Sequence, residues 1–358
     1  MTAIDPYTLR RHLLLWYQQH GRHTLPWQKK PTPYRVWVSE IMLQQTQVTT
    51  VIPYYLRFMR AFSTIKALAL APMDLVLEYW AGLGYYARAR HLHQTAQIIH
   101  TKHRGRFPQT VTELSALPGI GRSTAGAILS FSRNVNATIL DANVKRVLTR
   151  LYAIEEDVKK TATQKQLWQL AEALTSADQP AQYNQAIMDL GATLCTSKNP
   201  KCQECPLQNC CQAAQHHEPT AFPVTSARPK KPSKSTIALI IKDQSGGILL
   251  QKRPDSGIWG GLWCLPEIAE IEDMNEWLKA QYPISVHSTK ILAQIKHSFT
   301  HYHLVITPVV LTIKKHMISK EMASSWQLWY NSRTRFHGGI PAPIAQLIHQ
   351  FIQKRRYT

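Results

Sequence analysis

The chain has 358 residues, enough for two globular domains, and 44% of them are hydrophobic, which excludes a largely disordered protein. Lys and Arg number 42 against 22 Asp and Glu, and the formal net charge of +20 favours a polyanionic partner, with nucleic acid ahead of a ribosomal or membrane surface. The longest apolar stretch near the start, residues 13–17, is too short for a signal peptide or a membrane span, so we expect a cytoplasmic protein that does not use a membrane.

The first part of the chain has the hydrophobic period of α-helices from Tyr7 to about Ala214. Val76, Tyr79 and Trp80 are one example of the i, i+3, i+4 spacing that places apolar side chains on one helix face. Short loops marked by Pro and Gly separate the helical segments. We therefore predict a mainly helical first domain over residues 1–217.

The rest of the chain changes character twice. Four prolines and a run of basic residues predict an extended linker over residues 218–235. Residues 236–241 and 248–251 flank a Ser-Gly-Gly turn, as the strands of a β-hairpin do, and residues 302–313 form another β-branched stretch. A smaller α+β domain is therefore predicted over residues 236–358.

Glu40 is a carboxylic acid in the otherwise apolar stretch VWVSEIML, residues 36–43. Such surroundings remove water from a carboxyl group and raise its pKa toward neutrality, so that it holds a proton ready for general-acid chemistry. A solvated helix face is the ordinary alternative for a single glutamate. The apolar neighbours of Glu40 favour the buried acid.

Residues 82–88 (GLGYYAR) form a glycine-flexed loop with paired aromatic residues, a form that suits insertion between stacked bases. Gln45 lies about one turn after Glu40 in a Gln-Gln-Thr-Gln run. Ordinary core packing is the alternative for the two tyrosines, above all for Tyr86.

Residues 117–125 (LPGIGRSTA) join two helical patterns through a tight turn. Gly119 and Gly121 let the backbone turn sharply and approach another group closely. Backbone N–H groups at the start of the second helix then form an anion site that suits a DNA phosphate. A plain helix–helix turn is the alternative. Asp141, twenty residues after Gly121, precedes another helical pattern and has a structural explanation as its N-cap.

Four of the six cysteines form the pattern C-x6-C-x2-C-x5-C near the end of the helical domain: Cys195, Cys202, Cys205 and Cys211. In a reducing compartment such a group indicates metal ligation before disulfides. Four thiolates can hold zinc or a 4Fe-4S cluster, and the spacing alone leaves both open. Cys210 could also replace Cys211 as the fourth ligand.

These segments together resemble the endonuclease III and MutY family of DNA glycosylases. The resemblance rests on the hairpin at residues 117–125 with Asp141 beyond it, on residues 39–47 (SEIMLQQTQ) and on the cysteine spacing. From Thr236 onward the chain resembles the Nudix-like domain that MutY proteins carry. The family's pattern favours one 4Fe-4S cluster over zinc, with Cys211 as the fourth ligand.

The resemblance implies a fold class: a mainly α helix-hairpin-helix glycosylase domain with an iron-sulfur loop, followed by a smaller α+β Nudix-like domain that recognises the lesion. Within the first domain it implies a six-helix module at about 24–136 and a cluster module made of residues 1–23 and 137–217. Residues 260–267 look like the start of a Nudix box, but the R-E-x-x-E-E core does not follow. We therefore predict no Nudix hydrolase activity.

The implied function is base excision repair in which adenine paired with 8-oxoguanine or guanine is removed from duplex DNA and an abasic site remains. Breaking a purine N-glycosidic bond needs a proton on the base and negative charge near the oxocarbenium-like sugar, and two carboxyls in different environments can supply both. By the resemblance Glu40 is the general acid, Asp141 stabilises the sugar cation, and Asn143 orients the catalytic groups or water.

Ser123 distinguishes two branches of this family. The lyase members carry a lysine at this position whose amine attacks the sugar, whereas a serine cannot form a Schiff base. We therefore predict a monofunctional enzyme. Lys145, four residues after Asp141, could still trap the ring-opened sugar.

The resemblance also assigns contacts to DNA and to the bases. The predicted DNA-binding residues are Gln45, Leu83, Tyr85, Arg88, Gly119, Gly121, Ser123, Thr124 and Lys145. The predicted adenine pocket consists of Trp27, Gln185 and Met188. Phe299, Thr300 and His301 match a Phe-Ser-His loop of the family and are predicted to recognise 8-oxoguanine, with Thr300 keeping the hydroxyl and adding a methyl group.

Two other functions compete with this prediction. An endonuclease III-like enzyme would act on oxidised pyrimidines, but Ser123 and the second domain argue against it. A zinc-containing DNA-binding adaptor would perform no catalysis. We expect a monomer that binds double-stranded DNA.

Overall fold

The computed structural model describes residues 5–227, 229–243, 246–281, 286–313, 326–331 and 336–353. The chain folds into two compact units. The first unit consists of Met1–Leu70 and His91–Arg228, and the second of Ala71–Arg90 and Pro229–Thr358.

The part of the chain before the sheet is helical. Its helices are α1 Pro6–His20, α2 Pro33–Leu43, α3 Val48–Ala61, α4 Ile65–Leu70, α5 Met73–Trp80, α6 Ala87–Lys102, α7 Val111–Ser115, α8 Arg122–Arg133, α9 Ala142–Leu151, α10 Thr161–Leu174, α11 Pro180–Thr193 and α12 Gln212–Gln215. Short 3₁₀ turns at Pro26–Gln28, Cys202–Glu204, Gln208–Cys210 and Pro219–Ala221 connect some of them. The predicted helical character of this part is confirmed.

One core of the first unit forms where α1, α9, α10 and α11 meet. Leu13 of α1, Leu148 of α9 and Leu190 of α11 are among its buried members. In a second area, α8 packs closely on the chain that leads to α9. A Cβ added at Gly126 would collide with the carbonyl oxygen of Thr138, so only a glycine fits there.

The second unit is built around a mixed sheet. Its strands are β1 Ser233–Lys242, β2 Ile248–Lys252, β3 Trp263–Cys264, β4 Glu267–Ile268, β5 Val286–Ile291, β6 Ile295–Ser298, β7 His303–Ile313 and β8 Gln327–Tyr330, and its helices after the sheet begins are α13 Met274–Gln281 and α14 Ala342–Gln353. The order is β3-β2-β1-β7-β5, with β1 and β7 parallel and the other pairs antiparallel. The predicted α+β domain with its β1–β2 hairpin is therefore confirmed, although β1 begins at Ser233.

The second unit also includes the helical segment Ala71–Arg90. Asp74 of α5 pairs with Lys252 at 2.7 Å, and Glu78 pairs with His337 at 3.0 Å. Arg90 donates to the carbonyl oxygen of Gly260 at 2.6 Å. These contacts were not predicted, because the sequence assigns this segment to the helical domain by its period alone. The domain limits 1–217, 218–235 and 236–358 stay a prediction.

The start of the predicted linker is folded onto the first unit. The carbonyl oxygen of Phe222 accepts from Arg150 Nε at 3.1 Å, and the N–H of Ser226 donates to Asp157 at 2.8 Å. Among the described residues, no helix has both the length and the apolar character that crossing a bilayer requires.

The close packing at Gly126 yields a stability prediction. Gly126→Ala should lower the free energy of unfolding of the first unit by about 1–3 kcal/mol, because a methyl group has no room beside Thr138. The matched control is Gly121→Ala, where an added Cβ meets nothing within 4 Å and φ is −88°. Urea unfolding followed by circular dichroism measures both variants, and equal midpoints would contradict the packing argument.

Candidate active site

Glu40 lies on α2 in buried surroundings. The helix begins at Pro33, and the hydroxyl of Thr32 accepts from the Arg35 N–H at 3.3 Å as an N-cap. The buried side chains of α2 are Tyr34, Val36, Trp37, Val38, Ser39, Ile41 and Met42. Burial of the carboxyl, with a smaller contribution from the charge of Asp141, raises the pKa of Glu40 to about 8. Glu40 is therefore largely protonated at neutral pH.

Asp141 is the N-cap of α9. One of its carboxylate oxygens accepts from the Val144 N–H at 2.7 Å, and the other accepts from Asn143 Nδ2 at 3.1 Å. Burial raises the pKa of Asp141, whereas these hydrogen bonds oppose the rise because they favour the charged form. The two acids therefore differ in their surroundings: two hydrogen-bond donors reach the carboxyl group of Asp141 and favour its charged form, whereas burial favours the protonated form of Glu40.

Arg146 fixes the position of Asn143. Its Nη2 donates to Asn143 Oδ1 at 2.8 Å and to the carbonyl oxygen of Gly191 at 2.6 Å, and its Nε donates to the carbonyl oxygen of Cys195 at 2.7 Å. Sequence reasoning missed Arg146. The signal was its place three residues after Asn143, which puts both side chains on one face of α9.

Glu40 and Asp141 line the same cavity of the first unit, which has a volume of about 1120 Å³. Ser123 and Thr124 of α8 and Asn143 are also in its wall. A cavity of this size exceeds a single nucleobase and has room for a nucleotide.

The three residues predicted to contact adenine line this cavity: Trp27, Gln185 and Met188. The Trp27 ring meets that of Tyr55 edge to face, with centroids 5.4 Å apart. Gln185 Nε2 donates to Asp189 Oδ1 at 2.9 Å, and Asp189 is fully buried and also pairs with Arg22. Asp189 was missed by sequence reasoning, although an acid four residues after Gln185 on an apolar helix is a visible signal.

The hairpin before α8 has the backbone that its glycines require. Gly119 has φ of +76°, and an added Cβ there would lie 2.8 Å from His91 Cβ. Gly121 is the N-cap of α8 without a side-chain capping bond, so that end of the helix presents backbone N–H groups. The hydroxyl of Ser123 accepts from the Leu140 N–H at 3.1 Å, directly before Asp141.

Lys145 lies half-buried on α9. Its Nζ donates to Gln164 Oε1 at 2.7 Å. Burial lowers the pKa of Lys145, and the charge of Asp141 acts in the opposite direction. The amine is therefore held by the neutral amide of Gln164.

Gln45 and Tyr85 share an uncommon backbone conformation. Both are non-glycine residues in the left-handed region, with φ of +58° for Gln45 and +49° for Tyr85. This conformation costs about 1–2 kcal/mol for an L-residue, and such strain concentrates at functional sites. Gln45 lines the cavity of the first unit. Tyr85 belongs to the second unit, where its side chain is 47% exposed and its Oη lies 3.1 Å from Thr300 Oγ1.

Leu83 and Arg88 differ from Tyr85 in exposure. Leu83 is buried, at 6% exposed. The guanidinium of Arg88 donates to the carbonyl oxygens of Leu83 and Gly84, both at 3.3 Å. Leu83 is therefore packed inside the fold, and Arg88, in the first turn of α6, binds the backbone of the loop that carries Tyr85.

The four predicted metal-ligating cysteines line one small cavity in the first unit: Cys195, Cys202, Cys205 and Cys211. Lys201 and Arg150 are in the same wall, and Arg150 Nη1 lies 3.2 Å from Cys195 Sγ. Cys210 is not among the lining residues, and its thiol donates to the carbonyl oxygen of Leu207 at 3.3 Å. Among the described residues, no three His, Cys, Asp or Glu side chains converge on a single metal-ion position.

The thiols of this cavity are shielded from water. Burial raises the pKa of Cys205 to about 12 and that of Cys211 to about 11. Free thiols here would be neutral. Bound metal cations, together with the positive charge of Arg150, would be needed to hold them as thiolates. The donor set and the neighbouring positive charges therefore fit an iron-sulfur cluster.

Phe299, Thr300 and His301 form a turn between β6 and β7. The Phe299 N–H donates to the carbonyl oxygen of Tyr302 at 2.9 Å, and this bond leaves Thr300 and His301 exposed at the tip. The Phe299 ring packs against Trp259, with centroids 5.3 Å apart, and against Tyr302 at 5.0 Å. The aromatic contacts anchor one side of the turn, whereas Thr300 and His301 are exposed, with the hydroxyl of Thr300 at 3.1 Å from Tyr85 Oη.

Comparison with known proteins agrees with this fold. Residues 38–173 match the family model described as HhH-GPD superfamily base excision DNA repair protein, and residues 236–350 match the NUDIX domain. A thermostable thymine-DNA glycosylase of known structure aligns with a TM-score of 0.54 at 24% identity, over 59% of this chain and 97% of that chain. Endonuclease III in a non-covalent DNA complex aligns with a TM-score of 0.50 at 20% identity, over 60% and 99%. The first domain therefore matches the HhH-GPD superfamily of base excision DNA repair proteins and shares the fold of these two solved structures.

Curated relatives define the family within that superfamily. The adenine DNA glycosylase of Buchnera aphidicola subsp. Baizongia pistaciae (strain Bp) is 40% identical over 338 residues, which are 94% of this chain and 94% of that protein. The human adenine DNA glycosylase is 34% identical over 82% of this chain and 65% of its own length. The chain belongs to the adenine DNA glycosylase family, enzymes of base excision repair. The predicted family and enzyme class are confirmed.

Proposed function

We propose that this chain removes adenine opposite 8-oxoguanine or guanine in duplex DNA as a monofunctional glycosylase. The observation that carries the proposal is the pair of acids in one cavity, Glu40 with its pKa raised to about 8 and Asp141 with two hydrogen-bond donors at its carboxyl group. The hydrolysis of an N-glycosidic bond requires a protonated acid and a carboxylate, and we assign these roles to Glu40 and Asp141.

In the proposed reaction the first step opens the duplex. The backbone N–H groups after Gly121 bind a DNA phosphate, and the net charge of +20 supplies general attraction to the backbone. Gln45 fills the space that the extruded adenosine leaves, and Tyr85 is the candidate for insertion between stacked bases. Adenine then enters the cavity beside Trp27 and Met188. Since Asp189 accepts from the amide nitrogen of Gln185, the amide oxygen of Gln185 remains to accept from the adenine amino group.

Bond cleavage follows. Glu40 transfers its proton to adenine N7, the C1′–N9 bond breaks with its electron pair going to the base, and neutral adenine leaves. Asp141 stabilises the resulting sugar cation, and Asn143 holds Asp141 in place. Water attacks C1′ and gives its proton to the Glu40 carboxylate, which restores the acid and leaves an abasic site. Ser123 offers no amine, so the strand stays intact.

Strand cleavage assays on labelled duplexes test this proposal directly. Adenine opposite 8-oxoguanine or guanine should give breaks only after alkali, whereas adenine opposite thymine should give none. Breaks without alkali would favour a lyase. No release from either mispair would contradict the proposed function.

The carboxyl pair yields a mutational prediction. Glu40→Gln should slow adenine release about 10²–10⁴-fold while duplex binding is retained, because the amide keeps the shape of the side chain and cannot donate the catalytic proton. Asp141→Asn should have a similar effect through loss of the negative charge. Glu155→Gln, at an exposed position, is the matched control. Single-turnover kinetics and gel-shift binding measure the two properties, and normal turnover by Glu40→Gln would remove the mechanism.

The raised pKa of Glu40 yields a prediction about pH. Because the general acid works only when protonated, the single-turnover rate should fall about tenfold per pH unit above pH 8. A second fall is expected toward acid pH, where Asp141 becomes protonated and loses its negative charge. A rate that falls as the pH rises through the ordinary carboxyl pKa would show that Glu40 is solvated in the working enzyme and would contradict the assignment.

We propose that the cysteine cavity holds one 4Fe-4S cluster through Cys195, Cys202, Cys205 and Cys211. The common cavity and the Arg150 guanidinium at Cys195 support a negatively charged group of this kind. When bound, the cluster supplies a cross-link that fixes the loop after α11.

The position of Cys210 outside the cavity allows a matched test. Cys211→Ser should lower the iron content of the purified protein, because it removes a ligand, whereas Cys210→Ser should leave it at four iron atoms per chain as in any 4Fe-4S protein. Elemental analysis for iron and zinc decides the result. Zinc in the unaltered protein would favour a DNA-binding adaptor, and iron loss in Cys210→Ser would reverse the ligand assignment.

We propose that the turn Phe299–Thr300–His301 reads 8-oxoguanine. The exposed hydroxyl of Thr300 and the ring of His301 can hydrogen-bond to the oxidised base, while Phe299 is anchored by Trp259. Arg253 pairs with Glu267 at 2.6 Å, so the remaining acid of the Nudix-box start has a structural partner. Recognition without Nudix hydrolysis is therefore the proposed role of this domain. A monomeric, cytoplasmic state stays a prediction.

Thr300 can be tested by a change that keeps its shape. Thr300→Val removes the hydroxyl and should reduce the preference for 8-oxoguanine over guanine about tenfold, because one hydrogen bond of roughly 1–1.5 kcal/mol is lost. Thr300→Ser keeps the hydroxyl and should keep the preference. Rates of adenine release from the two duplexes give the ratio, and an unchanged ratio in Thr300→Val would refute this contact.

A further inference from the structure

The loop that carries Tyr85 has an uncommon backbone conformation at three of its residues. Gly82, Gly84 and Tyr85 all have positive φ, at +103°, +71° and +49°. Glycine accepts this conformation, whereas tyrosine does not adopt it without support from its surroundings. Something in the fold must therefore hold Tyr85 in place.

Arg88 contacts this loop from within. One nitrogen, Nη2, donates to the carbonyl oxygens of both Leu83 and Gly84 at 3.3 Å. The guanidinium carbon lies 5.4 Å from the ring centroid of Trp80 and also 5.4 Å from that of Tyr85. Such distances are those of cation–π contacts. The guanidinium thus touches both the backbone of the loop and the ring at its tip.

Two further hydrogen bonds support the same loop. Trp80 Nε1 donates to the carbonyl oxygen of Gly84 at 3.1 Å, and the Gly82 N–H donates to Tyr86 Oη at 3.3 Å. Tyr86 is buried, whereas Tyr85 is 47% exposed. The neighbouring side chains therefore satisfy the polar groups of the loop, and Tyr85 is left to project from it.

We infer that Arg88 is a positioning residue that holds the Tyr85 wedge in shape, and that it does not serve as a contact to a DNA phosphate. This inference rests on the proposed function, because Tyr85 has to act on an extruded base for its shape to matter. Lysine at position 88 would keep the charge that a phosphate needs, but it lacks the planar fork and the stacking surface of arginine. Arg88→Lys therefore separates the two roles.

The experiment compares the full chain with its Arg88→Lys variant on a duplex containing adenine opposite 8-oxoguanine. The rate of adenine release should fall about tenfold or more, since charge-assisted hydrogen bonds to the loop are lost. Fluorescence of 2-aminopurine at the target position should show a smaller extruded fraction. The slope of log Kd against log salt concentration should stay unchanged, because lysine keeps the positive charge. A residue that only contacts a phosphate would keep normal extrusion and a normal rate in this variant.

Two more variants keep the result interpretable. Arg10→Lys alters a guanidinium that binds the carbonyl oxygens of Leu174 and Ala173 elsewhere in the chain, and it should leave extrusion and rate unchanged. Tyr86→Phe removes only the hydroxyl that accepts from the Gly82 N–H, and it should also reduce extrusion. This variant tests the support of the loop if Arg88→Lys does not fold.

The outcomes are distinct. Normal extrusion and a normal rate in a folded Arg88→Lys variant would overturn the positioning role. If Arg88→Lys does not fold, normal extrusion in Tyr86→Phe would contradict the requirement for a supported loop on which that role depends. Absence of adenine release by the unaltered chain would instead be a failure of the proposed function.

Discussion

The candidate site depends on the removal of water from two neighbouring acids. A buried carboxyl group has to be neutral or to accept hydrogen bonds, because an unsolvated charge is costly. Glu40 on α2 is favoured as the neutral acid, because burial raises its pKa to about 8. Asp141 accepts hydrogen bonds as the N-cap of α9. The surrounding fold thus places two chemically similar groups in different surroundings, one that favours the protonated acid and one with donors that favour the carboxylate.

Helix α9 connects the acid pair to the cysteine loop of the first unit. Asp141 and Asn143 lie at its start, Arg146 binds the carbonyl oxygen of Cys195, and Arg150 donates to Cys195 Sγ and to the carbonyl oxygens of Thr196 and Ser197. The first turn of the helix therefore faces the cavity, and its last turn faces the cysteine loop. The residues that contact the cavity and those that contact the cysteine loop therefore lie on the same helix.

Much of the fold could be predicted from the sequence, since helical period, the Pro-rich boundary and β-branched stretches are local signals. The apolar neighbours of Glu40 and the place of Asp141 before a helix are local signals too. The attachments of Asp74 to Lys252 and of Arg88 to its own loop were not predictable, because they depend on tertiary contacts. Arg88 was predicted to bind DNA, and its contacts to the carbonyl oxygens of Leu83 and Gly84 and to the ring of Trp80 can be seen only in the folded chain.

Transfer of a proton from Glu40 to adenine N7 is the central claim, and a change in the substrate tests it without altering the protein. In 7-deazaadenine a carbon replaces N7, so the base keeps its shape but cannot accept a proton there. A duplex with 7-deazaadenine opposite 8-oxoguanine should bind as tightly as the adenine duplex and release its base at least about 10²-fold more slowly. Release at the rate of adenine would contradict the account.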